Sequence, residues 1–302
     1  MKRKVTTIID SNLCTGCGMC IKVCPSDTLT MIGKKAVVTG EFSLGCGHCE
    51  AICPVNAVSV GFTDDNQLSF KNFKKPEGWI KHGDFDIEKL VHLMMSRRSC
   101  RNYLEKEVDL TILEDLVKIG TTAPSGTNCQ MWTFTILPDR KSVLKFGEGV
   151  LGFFKKLNKL SQNKFLRKTM KIFGKPELEN YYNDYFEKVS ERIEEYEKTG
   201  KDSLFHGAVS AIIVGSKKGA SCPSEDALLA TQNILLGAHS MGLGTCLIGF
   251  AVEAMKNDKK IKKTINALED ENIYSVIAIG YPDEKYKEIC KRKKINPRIV
   301  NL

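Results

Sequence analysis

Cys14-Thr15-Gly16-Cys17-Gly18-Met19-Cys20-Ile21-Lys22-Val23-Cys24-Pro25 decides how the amino-terminal part of this chain is read. Four cysteines follow one another at spacings of two, two and three residues, and a proline closes the run. Soft anionic thiolates at such spacing suit an iron–sulfur core, and the last cysteine of such a run ligates a neighbouring cluster. Gly16 and Gly18 let the backbone wrap closely, because glycine adopts positive φ without penalty. A zinc ribbon would use two separated pairs instead of one continuous run. This end of the protein is therefore expected to handle single electrons.

The pattern repeats. Cys46-Gly47-His48-Cys49-Glu50-Ala51-Ile52-Cys53-Pro54 is followed by an apolar segment at 57–60, as Cys24-Pro25 is followed by one at 28–32. A hairpin is expected around Gly33-Lys34, with a short strand within residues 5–10. The duplicated motif resembles the bacterial two-cluster ferredoxin over residues 1–61. The resemblance implies crossed ligation: Cys14, Cys17, Cys20 and Cys53 on one cluster, and Cys46, Cys49 and Cys24 on the other. One ligand departs from the pattern, since Ser43 stands where the second run should begin with cysteine. Three outcomes stay open: Ser43 ligates as an alkoxide, the site holds a three-iron (3Fe-4S) cluster, or water or another group completes a 4Fe-4S cube. His48, between two ligands, reads as a hydrogen-bond donor to cluster sulfur more than as a ligand.

Composition bounds the rest. At 302 residues, two domains are expected. Seven of the twelve cysteines fall before residue 54 at metal-ligand spacing, which is a reduced-thiol pattern and not a secreted disulfide framework. No secretory leader or spanning segment is read, so the expected setting is cytoplasmic and poor in oxygen. The formal charge of +9 reads as solvated lysine faces, partly offset by cluster thiolates; no nucleic-acid signature accompanies it.

Residues 62–84, with Pro76 and Gly78, read as an ordered connector that Phe70, Phe73 and Trp79 pin to a domain surface. Beyond it, Ile87, Leu90, Val91, Met94 and Met95 recur on one helical face. That helix ends in Ser96-Arg97-Arg98-Ser99-Cys100-Arg101, whose forked guanidinium groups and hydroxyls suit a phosphate. A solvated basic patch is the bland alternative. A helix over 109–120 then runs into Thr121-Thr122-Ala123-Pro124-Ser125-Gly126-Thr127-Asn128-Cys129-Gln130-Met131-Trp132 and a strand over 133–137.

The two motifs, in this order, resemble the nitroreductase family of FMN flavoproteins over residues 86–295, with Met131 replacing the usual proline. The resemblance implies an α+β fold: a ferredoxin-like double-cluster module, then a nitroreductase-like FMN sandwich with a central mixed sheet over residues 85–302. It implies that Arg97 and Ser99 bind the FMN phosphate, with Arg98 close by and Arg292 from the Lys291-Arg292-Lys293-Lys294 cluster. Arg101 would lie near the pyrimidine edge of the isoalloxazine. Pro124, Ser125, Gly126, Asn128 and Gln130 would contact FMN across a homodimer interface. The Ile248 N–H would face flavin N5, with Gly249 beside it.

Residues 208–215 and 273–280 read as buried strands, 223–241 as a buried helix, and 251–271 as a charged helical stretch. Gly242-Leu243-Gly244 is by itself a weak signal. The aromatic residues between 139 and 207 read either as packing or as a lid over a substrate pocket. His206 and His239 read as structural, with His206 able to face the pocket. The expected function is an oxidoreductase passing electrons between iron–sulfur clusters, FMN and a small acceptor such as a nitroaromatic or quinone. No side-chain nucleophile or general base is required. The donor is a reduced ferredoxin or NAD(P)H. The alternative is a non-catalytic iron–sulfur flavoprotein carrier or redox sensor.

Overall fold

The computed structural model describes residues 3–301. Its first part contains β1 (Thr7–Ile9), α1 (Met19–Lys22), β2 (Leu29–Ile32), β3 (Lys35–Val38), α2 (His48–Ala51) and β4 (Val58–Val60). β1 pairs antiparallel with β4, Thr7 opposite Val60 and Ile9 opposite Val58. β2 and β3 form the expected hairpin, with Leu29 opposite Val38. The internal repeat is visible in the caps. Gly18 (φ 71) begins α1 and Gly47 (φ 75) begins α2, each in the left-handed region where a side chain would be strained. Leu29, Ala36, Ala57, Val58 and Val60 close a small core over Cys14, Cys20 and Cys49.

The connector contains a single 3-10 turn, Asp65–Leu68, and is ordered by one buried carboxylate. Asp115 accepts hydrogen bonds from the backbone N–H groups of Lys71 and Asn72 and from Asn72 Nδ2, at 2.8–3.0 Å. Burial alone would push the Asp115 carboxyl up. The Asn72 amide and the two N–H groups outweigh it and hold the carboxyl below its usual range. Phe70 and Phe73 stack on each other at 4.3 Å. Trp79 departs from expectation: it is 79% exposed and pins nothing. Hydrogen bonds to Asp115, not aromatic burial, fix this segment.

The larger part follows with α3 (Ile87–Ser96), α4 (Leu110–Gly120), β5 (Trp132–Leu137), α5 (Arg140–Ser161), α6 (Lys164–Ile172), α7 (Glu177–Asp184), α8 (Phe186–Thr199), β6 (Ser210–Lys217), α9 (Pro223–Ser240), β7 (Gly244–Leu247), α10 (Gly249–Asn257), α11 (Lys259–Thr264) and β8 (Glu271–Gly280). Side-chain caps set many of the helix starts: Asp109 accepts from Thr111 N at 2.7 Å, and Asp139 from Ser142 N at 2.7 Å. Asp258 accepts from Lys260 N and so divides the charged stretch into α10 and α11.

The sheet order is β5-β6-β8-β7. Its three ladders are antiparallel, and the parallel component expected of a mixed sheet is a single bridge between Ser99 and Thr245. Both faces are covered, so β6 and β8 read as continuous apolar runs. Ala211, Ile213, Val276 and Ala278 face α5 and α10; Ile212, Val214, Ile277 and Ile279 face α4 and α9. Gly215 sits at a bulge where a Cβ would lie 2.6 Å from Thr133 Oγ1. Among the described residues, no helix is long and apolar enough to cross a membrane.

Candidate functional site

The cysteine runs build two concavities. One is lined by Cys14, Cys17, Cys20 and Cys53, and the other by Cys24, Cys46 and Cys49 with Ser43 and His48 on its wall. These are the two crossed sets, each drawing one thiol from the opposite run. Among the described residues no three Cys, His or acidic groups converge as around a single ion. The thiols are spread around each concavity instead, as a multi-iron core with one iron per thiolate requires.

Backbone dipoles serve the sulfurs. N–H groups of Ala36 and Gly16 hold the Cys14 thiol below its usual range, and Ala57 N donates to Cys53 Sγ at 3.2 Å. Burial pushes Cys20 and Cys49 up, and their neighbouring thiols add to it: Cys14 and Cys17 for Cys20, Cys24 and Cys46 for Cys49. Such crowding of anionic donors is relieved by cationic iron, so the residues fit clusters at both places. Ser43 Oγ accepts from Gly45 N at 3.1 Å.

In the larger part, residues 97–104 run as an irregular strand along β7 and the end of β8. Cys100 N donates to Thr245 O at 2.9 Å, and Leu104 N to Tyr281 O at 2.9 Å. Gly244 allows this approach, since a Cβ there would lie 2.8 Å from Cys100 Sγ. Gly242 (φ 79) follows the end of α9. Both glycines of the Gly-x-Gly pair thus have structural duties.

The extended segment joins two places. At one end Arg97, Arg98 and Arg292 gather. Burial disfavours the Arg97 charge, and Arg98 and Arg292 add repulsion. His239 is also held low, by burial and then by Arg97. Among the described residues, none of these arginines has a carboxylate within ion-pair distance. Three guanidinium groups without a counter-charge, one of them half-buried, are an arrangement that suits a multiply charged anion.

At the other end lies a cleft of about 1120 Å³, which Arg101 lines together with His206, Cys246, Leu247, Ile248, Gly249 and Phe250. Phe153, Phe154, Tyr181 and Tyr185 from α5, α7 and the start of α8 form an aromatic wall around it. Burial, then Arg101, lowers the His206 imidazole, which stays neutral near pH 7. His206 is held at φ 57, and this backbone conformation turns it into the cleft. Burial pushes the Cys246 thiol up against the opposing effects of Arg101 and the Ser99 hydroxyl, and its side chain is packed in the core.

Two expectations are revised. The Ile248 N–H is already donated to Val276 O at 2.8 Å, so it is not free to face a ligand. Gly249, the first residue of α10, lines the cleft with an N–H that has no partner within its own helix. Asn128 is committed elsewhere: both its amide protons go to the first part of the chain, to Leu44 O at 3.3 Å and Gly45 O at 3.0 Å. Its Oδ1 accepts from Gln130 Nε2 at 3.1 Å.

The loop carrying Pro124, Ser125, Gly126, Asn128 and Gln130 does not line the cleft of its own chain. It is fixed by Asp226, which is 2% exposed. Asp226 Oδ1 accepts from Gly126 N at 2.8 Å and Oδ2 from Cys129 Sγ at 3.4 Å, while its carbonyl accepts from Trp132 Nε1 at 3.0 Å. Sequence reasoning missed Asp226 and Asp115. The available signal was a carboxylate beside apolar helix residues, which is stable only when it is hydrogen-bonded.

Comparison with known proteins finds matches to both parts of the chain. The nitroreductase family profile matches residues 94–281, and a 4Fe-4S dicluster domain profile matches residues 6–54. An Archaeoglobus fulgidus protein described as an NADH dehydrogenase/NAD(P)H nitroreductase is 24% identical over 66% of this chain and 89% of its own. The iodotyrosine deiodinase of Thermotoga neapolitana is 22% identical over 66% of this chain and 91% of its own. A nitroreductase from Desulfitobacterium hafniense, solved with bound FMN, superposes with a TM-score of 0.50 at 17% identity, covering 70% of this chain and 99% of that one. At that identity the likeness speaks for the fold.

Proposed function

The chain belongs to the nitroreductase family, and from that premise we propose that it is an FMN-dependent oxidoreductase that exchanges electrons between its iron–sulfur module and a small planar acceptor. The observation that carries this reading is the segment 97–104, which links an arginine cluster without counter-charge to an open cleft. FMN, when bound, supplies the interchange between single electrons and hydride-level reduction. Arg97, Arg98 and Arg292 hold its phosphate, and Ser99 adds a neutral donor. Arg101, at the lining of the cleft, would set a positive charge near the bound flavin and so would raise its potential. Gly249 offers the free N–H near the ring. Cys14, Cys17, Cys20 and Cys53 hold one cluster, and Cys24, Cys46 and Cys49 the other, with Ser43 at the remaining position.

The aromatic wall favours flat acceptors. Nitroaromatics and quinones suit it, and the relatives are named for nitro reduction and for deiodination of a tyrosine, which also concern such groups. His206 and Arg101 line the cleft and offer hydrogen bonds to an acceptor. The openness of the cleft counts against a carrier that passes electrons only to proteins.

A homodimer completes the flavin site in this reading. Ile87, Val91, Met94 and Met95 on α3 and Leu228 and Leu229 on α9 are 41–64% exposed. Such an apolar area is suited to a second copy. Pro124, Ser125, Gly126 and Gln130 then reach the partner's FMN. The external donor is a reduced ferredoxin or NAD(P)H.

The test is anaerobic purification with an inventory of iron, sulfide and flavin, followed by assays with NADH, NADPH and reduced ferredoxin. Iron, sulfide and FMN in one chain, with acceptor turnover, support the reading. A reconstituted protein without FMN overturns it.

A further inference from the structure

We propose that the site lined by Cys24, Cys46 and Cys49 is the flavin-side iron–sulfur site, that Arg3 and Asn128 clamp it there, and that the site of Cys14, Cys17, Cys20 and Cys53 faces outward. This rests on the FMN reading given above and adds an order to the two clusters. The hydrogen bonds between the iron–sulfur module and the FMN loop come from Arg3 and from Leu44-Gly45, immediately before Cys46. Arg3 donates to Leu44 O and, across the boundary, to Asn128 O at 3.1 Å. Asn128 Nδ2 returns two hydrogen bonds, to Leu44 O and Gly45 O. Arg3 O accepts from Ser43 N at 2.9 Å, and its guanidinium lies 3.7 Å over the Phe62 ring.

The clamp is tight on both sides. Gly45 adopts φ +59, and a Cβ there would lie 3.0 Å from Phe62 Cβ and 3.2 Å from Arg3 Nη1. On the other side Thr127, Asn128 and Gln130 all hold left-handed φ angles near 50°. Non-glycine residues persist in that region only where surrounding contacts impose it. Asp226 and the Thr127–Ser221 hydroxyl pair, 2.8 Å apart, supply those contacts. Two rigid loops therefore meet through directed hydrogen bonds, which suits a fixed distance more than a sliding encounter. Cys17 of the other set is exposed, open to an external one-electron carrier. Electrons would pass one at a time from that carrier to the outer site, then to the inner site and to FMN. The departure from four cysteines, Ser43, lies in the docking segment itself, so the harder or incomplete ligand set belongs to the inner site.

The experiment uses the anaerobic holoprotein, reduced with dithionite, then mixed with a substoichiometric nitroaromatic and frozen at intervals. Electron paramagnetic resonance assigns the two cluster signals through Cys14→Ser and Cys24→Ser variants. In the partly reoxidised samples that hold a flavin radical, the expected result is that the cluster signal altered by Cys24→Ser shows the stronger dipolar coupling to that radical. Arg3→Ala should speed hydrogen exchange at residues 44–46 at least tenfold and slow redistribution between inner site and flavin at least tenfold. If Arg3→Ala loses iron, Asn128→Ala removes the other half of the clamp, the Nδ2 hydrogen bonds to Leu44 O and Gly45 O, and leaves Arg3 in place. Stronger coupling of the signal altered by Cys14→Ser overturns the order. Unchanged exchange at 44–46 in both variants overturns the clamp. A protein that binds no FMN overturns the functional reading first and this one with it, and the flavin inventory separates that failure from the other two.

Discussion

Replacing Asp115 by Asn should release the connector and with it the module that carries the clusters. Three donors meet this carboxylate: Lys71 N at 3.0 Å, Asn72 N at 2.8 Å and Asn72 Nδ2 at 2.9 Å. Hydrogen bonds to a charged group contribute about 1.5–3 kcal/mol each. The sum is an upper bound, because Lys71 and Asn72 are exposed and their freed donors regain water. A net loss of about 2–4 kcal/mol from local opening is expected, which is roughly 30- to 700-fold in the opening equilibrium. Native-state hydrogen exchange at Lys71 and Asn72 reads that factor directly. The pH dependence has a fixed sign. The folded Asp115 carboxyl is held below its usual range, so the anchor is complete above the unfolded value of about 3.9 and is lost as pH falls through the folded value. The difference between wild type and Asp115→Asn should therefore be full at neutral pH and shrink in acid. Equal exchange in both proteins at pH 7 would refute the hydrogen-bond account of the connector.

Arg97→Ala should weaken FMN binding roughly 10- to 150-fold, the worth of one charge-assisted hydrogen bond, read by quenching of FMN fluorescence on titration into apoprotein; unchanged affinity would move the phosphate elsewhere. Cys53→Ser should disturb the same paramagnetic signal as Cys14→Ser, and Cys24→Ser the other, although Cys53 belongs to the second run and Cys24 to the first; pairing by run would refute crossed ligation. Iodoacetamide at pH 8 should modify exposed Cys222 and Cys290 quickly and leave Cys100, pushed up to about 11 by burial, unmodified while the protein is folded. Rapid labelling of Cys100 would contradict its placement behind Gly244.

What the sequence made legible was local. Ligand spacing in the two cysteine runs lies within single turns, and the apolar runs of β6 and β8 announce strands covered on both faces. The arginine motif by itself left a phosphate site and a solvated basic patch both open, and the third guanidinium of the cluster, Arg292, comes from a distant run. The contacts that fix the site were less readable, because they join distant positions. Nothing near Asn128 announces that its amide is spent on Leu44 and Gly45. Nothing near Ile248 announces that its N–H closes the sheet onto Val276. Trp79 misled for the opposite reason: a large aromatic suggests burial, yet this connector is held by polar groups. His206 was read mainly as structural, and only the left-handed turn beside Gly207 (φ 83) brings it into the cleft.

One anaerobic titration bears most directly on the link between the thiol-lined module and the arginine-lined half. The reconstituted protein is reduced fully with dithionite, and a nitroaromatic is then added in fractional equivalents while flavin and iron–sulfur absorbance are followed together. The expected result is that both chromophores reoxidise in a shared equilibrium, with the total electrons recovered equal to those of FMN and clusters combined. Reoxidation of the flavin alone, with the clusters remaining reduced, would contradict it.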